Sequence, residues 1–264
     1  MAELRRLLIR PERLQDSGSG IQLQTKESHY LRRVLRLRPG DALAVVDGQG
    51  HLWTARVVDG EHLELGQSQA HPCLSESSPC PRLGLAVVGV RRGMDDLMRM
   101  ACELGIDCIQ PLRSHWRTPQ AEDRPDRWQV ILEEAVEQSE RLWMPRLLST
   151  KAVADWWGEP DPAWARCYAT TRKASLPRLS TWLEQRLITS DNPRPAEVWI
   201  AIGPEAGWTE AEQQQAGALG WTPVQMGCSI LRTATAAVTA TALMTSCRAT
   251  AVELERSQSR SVEK

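Results

Sequence analysis

Two short stretches near the end of this sequence combine glycines with an acid or an arginine at spacings that could do chemistry. Gly203-Pro204-Glu205-Ala206-Gly207 follows the apolar run Val198-Trp199-Ile200-Ala201-Ile202. Gly227-Cys228-Ser229-Ile230-Leu231-Arg232 follows a second short apolar run at Pro223 to Met226. Glycines let a backbone approach a ligand closely, and two such loops at the ends of strands make a ligand crevice in an α/β sheet. Glu205, the only acid inside either loop, is a candidate base or loop organiser, and equally a turn carboxylate capping nearby amides. Arg232 could stabilise developing negative charge, contact a phosphate, or bond loop carbonyls. Neither loop has the G-x-G-x-x-G or Walker pattern, which argues against a standard dinucleotide or nucleoside triphosphate site.

The elements that must position these residues are legible around them. Thr209 and Glu212 form a capping box for a helix that closes at Gly220, and Thr233 is placed to cap an Ala/Thr-rich helix running to about Arg248. Upstream, Leu83 to Val90 is a near-continuous apolar strand. A helix with Leu97, Ala101 and Leu104 on one face follows, and then a strand over Ile106 to Leu112. This strand–helix–strand order predicts a parallel sheet. Another helix is predicted over Asp126 to Arg141 with Trp128, Ile131, Leu132, Ala135 and Val136 inward, and a strand near Arg166 to Ala169. Thr170 to Lys173, just past that strand, could line the same crevice.

Residues 1–68 read as a separate β-rich module, with strand-like runs at Leu4 to Ile9, Asp41 to Asp47, Leu52 to Val58 and Leu63 to Leu65. A helical stretch, Thr25 to Leu37, interrupts them. On an α-helix His29, Arg32, Arg33 and Arg36 share one face and Leu31, Val34 and Leu35 the opposite one. The arginine face reads either as an ordinary solvated surface or as a phosphate-contacting face, for which bidentate guanidinium groups are suited. Residues 69–82 read as a linker, since the stretch from Gly66 to Arg82 is rich in Ser, Pro and Gly. His71, Cys73 and Cys80 match no common zinc spacing, so no metal is expected. The polar residues 251–264 are expected to be disordered.

Several of these stretches resemble one family. Gly203-Pro204-Glu205-Ala206-Gly207 resembles the GPEGG motif of SPOUT-class RNA methyltransferases, and the run from Gly227 to Ala236 resembles the LG-x-x-ILRTETA motif of the RsmE family within that class. The segment His29 to Asp41 resembles the family's H-x-x-R-VLR-x-x-x-G-D. Glu103-Leu104-Gly105-Ile106 resembles its ELGV, and Glu137-Gln138-Ser139-Glu140-Arg141 its EQS-x-R. Ala206, Ala234 and Met100 depart from the pattern, standing for a glycine, a glutamate and a lysine.

The resemblance implies a PUA-like RNA-binding β-barrel over residues 1–68 and a SPOUT α/β methyltransferase domain with a trefoil knot over 83–250. It implies a homodimer and, as reaction, methylation of N3 of a uridine in 16S ribosomal RNA of the small subunit. The cofactor would be S-adenosylmethionine, held by Ile202, Gly203, Pro204, Glu205, Gly207, Met226, Gly227, Ile230, Leu231, Thr235 and Ala236. Apolar Ile202, Met226, Ile230 and Leu231 would sandwich the adenine. Arg232 and Glu205 are the candidate catalytic residues, and His29, Arg32, Arg33 and Arg36 the RNA contacts. Two other readings stay open: a ribosome-associated RNA-binding protein that lost turnover, and a SPOUT enzyme acting elsewhere on RNA.

Composition fits these expectations. Forty-two per cent hydrophobic and 25% charged residues describe a globular chain. A net charge of −1 argues against indiscriminate nucleic-acid binding without excluding a local basic patch. No apolar run approaches bilayer length, so no membrane partner is expected. Seven cysteines without a CxxC pair, and no signal-peptide pattern, predict free thiols in the cytoplasm. Eleven tryptophans and no phenylalanine is an unusual aromatic usage.

Overall fold

The computed structural model describes residues 4–15, 20–116, 121–171, 175–189 and 193–262. The chain forms two compact units: Met1–Ser78 with Leu132–Met144, and Pro79–Ile131 with Pro145–Lys264.

In the first unit, β1 (Arg6–Leu8), α1 (Pro11–Gln15), β2 (Gly20–Gln22) and α2 (Thr25–His29) are followed by β3 (Ala42–Val46), β4 (His51–Val57), β5 (His62–Leu65) and β6 (Leu74–Ser75). The strands lie in the order β1-β3-β4-β5-β2, with β6 on β4. Among the described residues the end strands β1 and β2 are not paired with each other, so backbone bonding does not close the expected barrel. Alternate residues turn inward as the period of two requires: Leu43 and Val45, Trp53, Ala55 and Val57, Leu63 and Leu65 fill one core with Leu7, Ile9, Ile21 and Leu31. Asp47 sets the β3–β4 turn, its carboxylate accepting from the amides of Gln49 (2.7 Å) and His51 (3.0 Å). Pairing of β6 with β4 draws part of the expected linker into this sheet.

The helix expected over Thr25 to Leu37 is not a single α-helix. After α2 the chain widens into a π-helical turn, Tyr30–Val34, closed by Leu35 N donating to Tyr30 O at 3.0 Å, and Arg36 then takes a left-handed φ of 56°. A π turn bonds five residues back rather than four, so the three- and four-residue spacing no longer defines one face. Leu31 is buried and Leu35 packs on the core as expected, whereas Val34 is 60% exposed.

The second unit holds β7 (Arg82–Val88), α3 (Met94–Glu103), β8 (Cys108–Arg113) and the first part of α4 (Pro125–Gln138). There follow β9 (Arg146–Leu147), β10 (Lys151–Ala152), α5 (Val153–Trp156), β11 (Ala165–Ala169), α6 (Leu179–Leu187), β12 (Glu197–Ile202), α7 (Glu210–Ala218), β13 (Thr222–Val224) and α8 (Thr233–Val262). Its sheet runs β10-β8-β7-β12-β11-β13, with β9 on β8, and every pairing is parallel. Every residue of β12 is buried, as the unbroken apolar run predicts. The rest of α4 lies in Leu132–Met144, which belongs to the first unit, and there Glu137 Oε1 accepts from Leu8 N at 2.8 Å.

Five of the eleven tryptophans have a shared structural account. Trp156, Trp157, Trp199, Trp208 and Trp221 share one core with Tyr168, Ala86 and Val88. Ring centroids lie 5.0 Å apart for Trp156–Trp221 and 4.8 Å for Trp157–Trp221, the edge-to-face and tilted spacings aromatic quadrupoles favour. Gly84 makes room for this: a Cβ there would lie 2.2 Å from the Trp199 ring.

Helix α8 starts at Thr233 and continues past Arg248 to Val262, into the segment expected to be disordered. Arg248 ties it to the sheet, pairing with Asp107 and donating to Gly105 O at 3.0 Å. Among the described residues no helix is long and apolar enough to cross a membrane, and all seven cysteines are free.

Candidate functional site

The parallel strands β11, β12 and β13 end side by side, and the loops beyond them surround a cavity of about 640 Å³. The two glycine loops supply most of its lining, and Ala169, Thr170 and Thr171 supply a third wall. Of the eleven sequence-predicted cofactor residues, Ile202, Gly203, Pro204, Glu205, Gly207, Met226, Gly227, Ile230, Leu231 and Ala236 line it. Thr235 does not. At 100° per residue it turns away from the face that Thr233 and Ala236 present, and it is exposed. Thr170 lines the cavity as expected, while Arg172 and Lys173 lie outside the described residues.

Each loop is fixed by specific bonds. The capping box forms as predicted, with Thr209 Oγ1 accepting from Glu212 N (3.1 Å) and Glu212 Oε2 accepting from Thr209 N (2.8 Å). Thr233, the expected cap of α8, is instead its first helical residue. Its hydroxyl donates to Gly203 O at 2.9 Å, joining the helix start to the first glycine loop. Gln225 holds the second loop by donating from Nε2 to Leu176 O (2.6 Å) and from its backbone to Pro177 O (3.0 Å).

The glycines serve two different ends. Gly207 (φ 83°) and Gly227 (φ 153°) occupy positive φ with nothing within 4 Å of a would-be Cβ, so their backbones are open to the cavity. Gly203 is there for packing, since a Cβ would stand 2.8 Å from the indole of Trp208. Sequence reasoning missed Trp208. It lines the cavity, donates from Nε1 to Ala169 O at 2.9 Å, and rests against Trp157 at 5.2 Å. Its position directly after Gly207, where the chain must turn back to the sheet, was the available signal. Gln213 was also missed. It lines the cavity and donates to Trp208 O at 3.1 Å, and its buried Oε1 has no partner among the described residues.

The candidate catalytic residues differ in placement. Glu205 lines the cavity with an exposed side chain, whereas Arg232 is exposed at the start of α8 and is not among the lining residues. Of the family departures, Ala206 lines the cavity and Ala234 is half-buried in the first turn of α8.

In the first unit His29, Arg32, Arg33 and Arg36 are all exposed, and none of their side chains has an ion pair or hydrogen bond among the described residues. Arg32 also borders a small hollow of about 190 Å³ with Leu23, Leu31 and Asp59. The Glu137-Gln138-Ser139 stretch fastens this unit internally: besides Glu137 on Leu8, Gln138 Nε2 donates to the Tyr30 hydroxyl at 2.9 Å. Burial pushes the Glu137 carboxyl up to about 7, against the lowering effect of the Leu8 amide, and the neighbouring Glu134 and Glu133 add to the rise.

Comparison with known proteins defines the class. Residues 76–245 match the RNA methyltransferase domain family, and residues 23–65 match the RNA methyltransferase PUA domain. Ribosomal RNA small subunit methyltransferase E of a Synechocystis strain is 34% identical over 241 residues, covering 90% of this chain and 76% of that protein. A crystal structure of ribosomal RNA small subunit methyltransferase E from Neisseria gonorrhoeae, bound to S-adenosyl methionine, superposes with a TM-score of 0.72 at 28% identity. It covers 92% of this chain and 98% of that one. A probable rRNA-methyltransferase from Porphyromonas gingivalis shares the fold, with a TM-score of 0.77 at 22% identity, covering 93% and 99% of the two chains. The chain belongs to the ribosomal RNA small subunit methyltransferase E family.

Proposed function

We propose that this protein methylates N3 of a uridine in 16S ribosomal RNA, with the cavity at the ends of β11, β12 and β13 holding S-adenosylmethionine. The single observation carrying this reading is that both glycine loops close on one cavity of about 640 Å³, within the range of small-molecule sites. The lining fits the cofactor. Ile202, Met226, Ile230 and Leu231 offer apolar surface to a purine, and the open backbones at Gly207 and Gly227 allow a close approach to its polar edge. When bound, S-adenosylmethionine would supply a methyl group from its sulfonium, the S–C bond breaking to leave the neutral thioether, while uridine N3 would give up its proton to a base as the N–C bond forms. The protein's part is to position the two and exclude water. Glu205 stands at the cavity wall, where it can accept a proton or order the loop. Arg232, exposed at the end of the second loop, is free to meet a base carbonyl or a phosphate.

The same reading includes an RNA contact through His29, Arg32, Arg33 and Arg36, supported by their exposure and unpaired state among the described residues. It also includes a trefoil-knotted chain path, a homodimer and a cytoplasmic location, supported by family membership. The test is methylation of small ribosomal subunits lacking the modification, followed by nucleoside mass spectrometry. N3-methyluridine is the expected product. A protein that binds S-adenosylmethionine yet yields no methylated nucleoside sinks the catalytic reading, and a different methylated nucleoside sinks the assignment to N3.

A further inference from the structure

The cavity uses only part of the carboxyl edge of the sheet. That edge continues through β7 and β8, where Ile202 is paired with Val87 and Val88 with Leu112. The loops after β12, β7 and β8 therefore leave the sheet side by side, and Gly89 N donates to Leu112 O at 3.1 Å just as they separate. The first of these neighbouring loops carries Arg91 and Arg92, both exposed. The second follows exposed Arg113, the last residue of β8, and carries His115 and Trp116, which meet edge to face at 4.7 Å. Trp116 is 54% exposed. Eight other tryptophans are buried and Trp116 is the one exposed tryptophan among the described residues, so an indole left in water is out of keeping with this chain.

The surrounding acids do not neutralise this patch. Asp95 is paired with Arg127 (2.6 Å), Asp96 with Arg99 (3.8 Å) and Glu122 with Arg124 (2.6 Å). Arg91, Arg92 and Arg113 have no ion pair among the described residues. The nearby Glu212 carboxylate is buried and spent on backbone amides, accepting from His115 N at 3.2 Å and Thr209 N at 2.8 Å. That one side chain fixes the Trp116 loop and the start of α7, which directly follows the first glycine loop. The Trp116 arm of the patch is thus tied, through the His115 amide, to the helix that follows the first glycine loop.

We propose that Arg91, Arg92, Arg113 and Trp116 form a platform for single-stranded RNA along this edge. The guanidinium groups meet successive phosphates, and the indole stacks on an unpaired base flanking the nucleotide presented to the cavity. Arginine suits bidentate phosphate contact, and unpaired bases, unlike those in a duplex, expose a face to an aromatic ring. This rests on the methyltransferase reading and names how its substrate is held.

The test uses the full chain and a fluorescein-labelled ten-nucleotide RNA, single-stranded or annealed to its complement, followed by anisotropy across a salt series. Calorimetry with S-adenosylmethionine runs beside it. Trp116→Ala weakens single-strand binding about five-fold or more while leaving duplex binding and the salt slope unchanged, and Trp116→Tyr restores most of the affinity. Arg91→Ala combined with Arg92→Ala lowers the log–log salt slope by roughly 1.4, about 0.7 for each single-strand phosphate that a guanidinium neutralises. Cofactor affinity stays unchanged in all variants. Single-strand affinity and slope equal to those of the natural protein, in variants that still bind cofactor, overturn the platform and leave the proposed function standing. A drop in Trp116→Ala affinity that is equal for duplex and single strand overturns the stacking role. Absence of cofactor binding in the natural protein counts against the proposed function instead.

Discussion

The cavity of the second unit and the arginine stretch of the first are built in opposite ways. Around the cavity each loop is fastened by a directed bond: Thr233 to Gly203 O, Trp208 to Ala169 O, and Gln225 to Leu176 O. His29, Arg32, Arg33 and Arg36 are held only through their backbone and the apolar side chains between them, with their charged ends in water. The first arrangement is pre-shaped for one small ligand, so a change of one methyl group is felt sharply. The second is a set of independent charges on an irregular turn, suited to a polyanion and graded in its response.

Substituting Gly203 by Val should give the largest effect. Any Cβ there meets the Trp208 ring at 2.8 Å, so either the indole or the loop must move. Cofactor affinity should fall more than 100-fold by calorimetry, with a stability loss of about 1–3 kcal/mol from overpacking. Retained affinity in a folded variant would show that the cavity is less tightly shaped than its bonds suggest.

Replacing Arg32, Arg33 and Arg36 together by Ala should act more gently and in a salt-dependent way. RNA binding should weaken, with the log–log slope falling by roughly 0.7–0.9 for each phosphate no longer neutralised, and cofactor affinity unchanged. An unaltered slope would return this stretch to the role of a solvated surface.

Glu137 offers a pH test of the first unit. Its folded-state value of about 7 lies above the ordinary 4.5 because of burial, so the native state binds the proton more tightly than the unfolded chain. The stabilisation is complete below about pH 4.5 and is lost as pH rises through about 7. Chemical denaturation at pH 5 and pH 8 should show the natural protein losing on the order of 2 kcal/mol more than Glu137→Gln across that interval. Parallel pH dependences would mean the carboxyl is ionised throughout.

Ala234→Glu should do least. The first turn of α8 carries no acid, so a glutamate complements the helix dipole by about 0.3–1 kcal/mol. Turnover should change less than threefold, read as methyl incorporation into unmodified small subunits. A natural form without activity and a glutamate form with it would make this chain a binding protein that lost turnover.

Much of the cavity was legible because glycine loops, capping residues and unbroken apolar strands are local signals. Val198 to Ile202, the Thr209–Glu212 box and Gly220 all fall where periodicity and capping put them. What the sequence hid depends on partners distant along the chain. Nothing near Thr233 shows that its hydroxyl reaches Gly203 thirty residues back, and nothing near Gly84 shows the Trp199 ring lying across it. The arginine stretch misled for a different reason. Its spacing is helical, but one widened turn after Tyr30 breaks the period on which a shared face depends. The extension of α8 through a polar tail has no local signal either, since that stretch lacks a continuous apolar face.

The most direct test of the central claim is calorimetric titration of the natural protein with S-adenosylmethionine, with tryptophan fluorescence followed in parallel. The account predicts saturable binding with one cofactor per chain and an emission change that Trp208→Phe removes, because that indole forms part of the cavity wall. Absence of saturable heat from a folded protein would contradict it.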